Sequence, residues 1–321
     1  MRLILFFPAL LVCFSSISQT TITQQDLPQP GDTFIFTVDK APVINIGFPS
    51  ASSQIWDFSS FNNDSIKYAS YGISSDLSFS SDFSGSNLYT YGPAFLYGGL
   101  SGGVPTGVGM GYMMFSTNSS GFWTIGFRND YDGTGMQNTF VNPNELLMGI
   151  PCTYSSVFND DAEWEITYNL NTADYDTIYR SHISKTLTCD AWGQLTTPAG
   201  TYNDVIRVKE VVSVRDTIYA MMGTTELYST EVKNAMQYNY QYWTNLERYA
   251  VAIVYCDEND SMISAEYLSA AILDIKKPYS EKMNLNLINP VKDIIQFNLP
   301  VAADIKIFDM TGHTILYKQS V

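Results

Sequence analysis

Apolar and polar positions alternate in short runs along most of this chain, and that two-residue period predicts β-strands. From Ala162 to Tyr168, Trp164, Ile166 and Tyr168 fall on one face and Glu163, Glu165 and Thr167 on the other, as in a half-buried strand. Strands are expected over residues 33–38, 178–189, 192–196, 202–212, 248–255 and 262–273. Thr197-Pro198-Ala199-Gly200 supplies the turn between the third and fourth, because proline presets the first turn position and glycine relieves the last. Arg207 and Lys209 lie on the opposite face from Ile206 and Val208. Residues 61–91 alternate only locally, at Leu77 and Phe79, and read as short strands between polar loops. The glycine-rich run over 92–135 reads as bends and bulges between strands. No stretch repeats with a helical period, so the expected fold class is all-β.

Texture divides the chain further. Arg2, an apolar run from Leu3 to Phe14 and a small polar stretch have the layout of a secretory signal peptide over 1–18. No later segment approaches the ~20 apolar residues of a membrane span, so no transmembrane anchor is expected. Cys13 invites a lipoprotein reading, but Leu11-Val12 lacks the small residue expected before a lipidated cysteine. Two β-sandwich-like domains are expected over 19–148 and 149–275. A polar linker with Pro278 follows over 276–284, then a partial small β-sandwich over 285–321. In that tail Ile295, Phe297 and Leu299, then Ile305 and Ile307, alternate as strands.

Composition narrows the partners. The 321 residues carry 17 basic and 32 acidic side chains, a net charge of −15, which disfavours nucleic acid and anionic lipid. The 22 tyrosines and 18 phenylalanines suit aromatic-rich strands. Beyond the leader stand Cys152, Cys189 and Cys256. An oxidising compartment permits one disulfide with one thiol left over; Cys152 with Cys189 is favoured, though spacing leaves the pairing open.

The tail carries a family resemblance. Asn289-Pro290-Val291-Lys292-Asp293, followed by Ile305-Lys306-Ile307-Phe308-Asp309-Met310-Thr311-Gly312, resembles the C-terminal sorting domain of the type IX secretion system of Bacteroidota. The resemblance implies that Asn289, Pro290, Asp293, Asp309 and Gly312 form the sorting motif and that the secretion machinery is the partner. Such domains usually continue with further strands and a terminal basic residue; none is read before Val321. A chain truly ending there is expected to remain periplasmic, and a longer one to reach the cell surface or medium. Asp26 to Thr33, Trp56-Asp57-Phe58-Ser59 and the block from Cys189 to Lys209 resemble a group of Bacteroidota secreted proteins of unassigned function.

Several constellations invite chemistry. Gly99-Leu100-Ser101-Gly102-Gly103 matches the G-x-S-x-G elbow, with His182 as the conceivable base, yet Val104-Pro105-Thr106-Gly107 is poor material for the required helix. Glu163 and Glu165 stand roughly 7 Å apart along a strand, a conceivable glycosidase pair or an ordinary wet face. Asp130 and Asp132 resemble part of a calcium loop, and Asp257-Glu258-Asn259-Asp260 is a second acidic turn. Tyr238, Tyr240, Tyr242 and Trp243 make either a stacking platform for an extracellular glycan or a row of core aromatics. Asp-Ser/Thr-apolar tripeptides at Ser65, Thr177, Thr217 and Ser261 resemble the O-glycosylation acceptor of Bacteroidota, which requires exposed hydroxyls. No cofactor is expected. The expectation is a secreted or surface binding or envelope protein without catalysis, the alternative a secreted hydrolase acting on polysaccharide or protein.

Overall fold

A computed structural model describes residues 19–93, 100–101, 104–105, 110–131, 135–168, 176–272, 305–308 and 314–318. The fold is all-β; among the described residues the helical turns are three short 3-10 segments, and no helix is long and apolar enough to cross a membrane. The first strands are β1 (Thr33–Asp39), β2 (Gln54–Asp57), β3 (Ser65–Ser70), β4 (Gly72–Ile73) and β5 (Leu88–Pro93). Two short strands, β6 (Leu100–Ser101) and β7 (Val104–Pro105), precede β8 (Met110–Asn118), β9 (Gly121–Asn129), β10 (Gln137–Gly149) and β11 (Val157–Tyr168). The longest follow: β12 (Asp176–Thr197), β13 (Gly200–Met222) and β14 (Thr225–Trp243), then β15 (Ala252–Cys256) and β16 (Met262–Ile272). A separate compact unit, residues 275–321, holds β17 (Ile305–Phe308) and β18 (Thr314–Lys318).

One sheet carries the first unit, in the order β3-β1-β16-β15-β14-β13-β12-β11-β10-β9-β8-β5-β4, with β2 parallel to β12. Its two ends are consecutive in the chain, since only Tyr71 separates β3 from β4. Tyr71 donates to the Asp32 carbonyl (2.8 Å) and accepts from Gly31 N–H (2.7 Å). Its ring packs against Phe34, Phe115 and Phe122. The chain thus passes from one end of the strand order to the other at a buried aromatic.

The main core joins Phe34 and Phe36 of β1 to Leu146 and Met148 of β10, Leu187 of β12, Val208 of β13, Tyr242 of β14 and Val254 of β15. Residues on both sides of the boundary expected at 148/149, such as Met148 and Ile150, belong to this same core. The strands expected over 178–189 and 192–196 are one strand, β12. The apparent break between them is a pair of register shifts, at Cys189/Ala191 and Gly193/Leu195, which disturb the alternation without ending the ladder. The hairpin at Pro198-Ala199 pairs Thr197 with Gly200, as the turn residues require. The local alternation at Leu77 and Phe79 forms no strand; it lies between 3-10 turns at residues 74–76 and 80–82, because serine and aspartate offer the backbone local partners.

The tail unit contains an antiparallel hairpin in which Ile305 pairs with Lys318 and Phe308 with Thr314. A strand therefore does follow the Asp309–Gly312 segment. Asn289, Pro290, Asp293, Asp309 and Gly312 themselves lie outside the described residues.

Candidate functional site

The site begins with a proline inside a strand. Pro143 has no N–H to give to a ladder, and within sheets proline sits at edges or bulges. Accordingly β10 leaves β9 between Phe140 and Glu145, and the displaced segment meets β11 at one registered pair, Val141 with Trp164. The two strands share no longer ladder. Between them lies an open groove of about 500 Å³. From β10 it is lined by Gln137, Asn138, Phe140 and Asn142; from β11 by Glu163, Glu165 and Thr167, with Trp164 and Ile166 beneath.

Polar groups of the groove are held in place. Arg180 on β12 donates through Nη2 to Glu165 (2.8 Å) and approaches Glu163 through Nε (3.4 Å). The hydrogen bond to Glu165 raises the pKa of the guanidinium, and its Cζ lies 5.0 Å from the Tyr219 ring centroid. Asn138 accepts from Arg128 and donates to Asp82 (2.8 Å). Below, Phe127, Tyr131, Val141, Trp164, Ile166 and Tyr179 form a second core cluster. The Tyr131 and Thr139 hydroxyls are hydrogen bonded at 2.8 Å, and burial pushes the Tyr131 phenol up to about 12. Phe140 stays half exposed at the rim. Amides, carboxylates and a hydroxyl around one open aromatic can hydrogen-bond a polyhydroxylated ligand and cover an apolar ring face.

The aromatic stripe is not a platform. Tyr242 is fully buried, with edge-on contacts to Trp56 and Phe58 and its hydroxyl donating to the Ile46 carbonyl (3.1 Å). Trp243 is buried as well, its Nε1 donating to Gln241 (2.9 Å). Tyr240 is buried and donates to Asp260 (2.8 Å); burial and that carboxylate raise its pKa. Tyr238 is half-buried beneath the Lys209 ammonium, 4.7 Å from its ring centroid. The alternation was legible, but both faces of β14 are covered here, so the rings serve the core.

The other candidates separate similarly. Ser101 lies in a hairpin, pairing with Val104, where the hydrolase elbow needs a strand followed by a helix. His182 is 2.9 Å from Asp161. Asp130 is exposed and accepts from Gly135 N–H (3.3 Å); Asp132 lies outside the described residues, among which no cluster of three metal-ligating side chains occurs. Asp257 caps its own turn, accepting from Asn259 and Ser261, which lowers its pKa. Ser261 is exposed, Ser65 and Thr217 are half-buried, and Thr177 is buried, so the Thr177 hydroxyl is not available as a glycan acceptor in the folded chain. Cys152, Cys189 and Cys256 are buried free thiols. Gln137, Asn138, Phe140 and Asn142 were not singled out by sequence; the available signal was a proline flanked by amides, Asn142-Pro143-Asn144, inside a strand.

No family model matches the chain, and no curated protein matches it in sequence. Two solved structures align over 79% of this chain and 100% of their own at 11% identity. One is a candidate lipoprotein from Parabacteroides distasonis (TM-score 0.28), the other a candidate exported protein with a YmcC-like fold from Bacteroides fragilis (TM-score 0.24). At that similarity neither alignment carries an argument about this protein.

Proposed function

We propose that this is an exported envelope protein that binds glycan without catalysis through the groove between β10 and β11. The observation that carries this reading is the groove's make-up: three amides, of which Asn138 is held by Arg128 and Asp82, and two carboxylates lining one groove with the half-exposed Phe140. The hydrolase alternative draws on the same Glu163 and Glu165. Both, however, are engaged by the single Arg180 guanidinium, whereas glycoside hydrolysis needs an acid and a base or nucleophile free to act across one bond. A panel of neutral and acidic oligosaccharides tests the reading. Binding should be weakened several-fold by Phe140→Ala and left intact by Tyr240→Phe; loss in the second variant alone would overturn the assignment of the groove.

Export is supported by the leader layout of residues 1–18, and the tail is proposed to engage the type IX machinery. The β17–β18 hairpin around residues 309–313 supports the tail reading. Deleting residues 285–321 in a Bacteroidota host should leave the protein in the periplasm; unchanged surface delivery would remove this part of the proposal.

A further inference from the structure

Cys152 follows β10 and is tied to the start of the described chain: Ile22 N–H donates to the Cys152 carbonyl (2.8 Å) and Cys152 N–H to the Ile22 carbonyl (3.0 Å). The backbone then folds back. Ser156 N–H donates to the Thr153 carbonyl (3.0 Å), and Ser155 takes a positive φ of 71°, an uncommon conformation for a residue with a side chain. This turn docks on β12 at Cys189, with Ser155 N–H donating to the Cys189 carbonyl (2.8 Å) and Cys189 N–H to the Ser156 carbonyl (2.9 Å). The turn thus brings Cys152 and Cys189, both buried free thiols, together in the main core, and the Cys152 side chain beside it raises the Cys189 pKa. Cys256 stands at the end of β15 beside the Asp257–Asp260 turn.

We propose that Cys152 and Cys189 are a disulfide-forming pair that closes during folding in an oxidising compartment, with Cys256 remaining a thiol. The oxidant is another disulfide, of an oxidoreductase or of glutathione. One cysteine thiolate attacks it and releases a thiolate; the second then attacks the mixed disulfide. Two S–H bonds are lost, one S–S bond forms, and two protons and two electrons leave with the oxidant as two thiols. Both sulphurs are buried, which places the reaction before the core closes. The bond ties the Ile22 segment, the turn after β10 and β12 together. Burial raises the Cys256 thiol to about 11, which keeps it a poor nucleophile.

The test uses the full chain, reduced, unfolded and refolded in a buffer of oxidised and reduced glutathione, followed by non-reducing peptide mapping. The expected product joins the Cys152 and Cys189 peptides, with Cys256 alkylated only after denaturation. Reducing agent should lower the Tm of this product by about 5 °C or more, an effect retained in Cys256→Ser and absent from the Cys152→Ser/Cys189→Ser double variant. If the double variant fails to fold, the wild-type peptide map alone decides. Three alkylatable thiols in the refolded protein, or a cross-link that includes Cys256, would overturn the proposal.

Discussion

β12 carries the same charge arrangement twice, five residues apart, and the two copies behave differently. At Lys185 the ammonium lies between Glu145 (2.7 Å) and Glu210 (3.0 Å), with side-chain exposures of 3%, 16% and 8%. At Arg180 the guanidinium lies between Glu163 and Glu165, with exposures of 37%, 42% and 47%. Glu210 also accepts from Asn239 (2.9 Å) and Gln241, so the buried group is a closed network. Breaking a buried pair leaves an uncompensated charge, typically at 3–5 kcal/mol, whereas an exposed pair is worth ~0–1 kcal/mol. One triad therefore belongs to the stability of the body and the other to an accessible surface.

The largest effect is expected at the buried triad. Lys185→Met should cost about 3–5 kcal/mol in urea unfolding, because Glu145 and Glu210 then face each other without a cation. The pH dependence has a definite sign. Burial alone would lower the Lys185 pKa, but Glu210 and Glu145 outweigh it and the value is raised. A raised lysine contributes stability that is fully present below its unfolded value and lost as pH climbs through the folded one. Its contribution should accordingly stay flat between about pH 6 and 9, below the ordinary lysine range. A steep loss there would contradict the assignment.

Next in size is Gly193→Ala. A Cβ at residue 193 would overlap the Gln54 carbonyl, so the variant must displace β2 from β12, and a loss of about 1–3 kcal/mol is expected in thermal melts. Arg207→Lys should cost about as much, since Arg207 holds Asp190 through two nitrogens and donates to the Ile46 carbonyl while buried, a fork that lysine cannot reproduce. Smallest is Arg180→Met, at no more than about 1 kcal/mol. A cost there comparable to that of Lys185→Met would erase the contrast between the two triads.

Much of the strand pattern was legible. Trp164 and Ile166 are buried while Glu163 and Glu165 remain accessible, as alternation on β11 requires, and Pro198-Ala199 turns the hairpin. What escaped depends on partners far away in the chain. The face of β13 bearing Arg207 reads as polar, yet it is covered by the segment around Ile46, which gives the guanidinium its carbonyl. The Tyr240 and Tyr242 stripe reads equally as platform or core until Trp56 and Phe58, some 180 residues earlier, pack against it. The passage from β3 to β4 at Tyr71 and the departure of β10 from β9 around Pro143 depend on strand pairing, and local periodicity contains no record of which strand lies opposite.

The central claim is that the groove takes up a glycan and leaves it intact. Calorimetric titration of the full chain with oligosaccharides, with parallel chromatography for products, tests it most directly, using Asn142→Ala and Glu165→Gln beside the wild type. The expected result is saturable binding, weakened several-fold in both variants at unchanged Tm, with no product released. Shortened oligosaccharide produced by the wild type and abolished in Glu165→Gln would contradict the claim, as would binding indifferent to both substitutions.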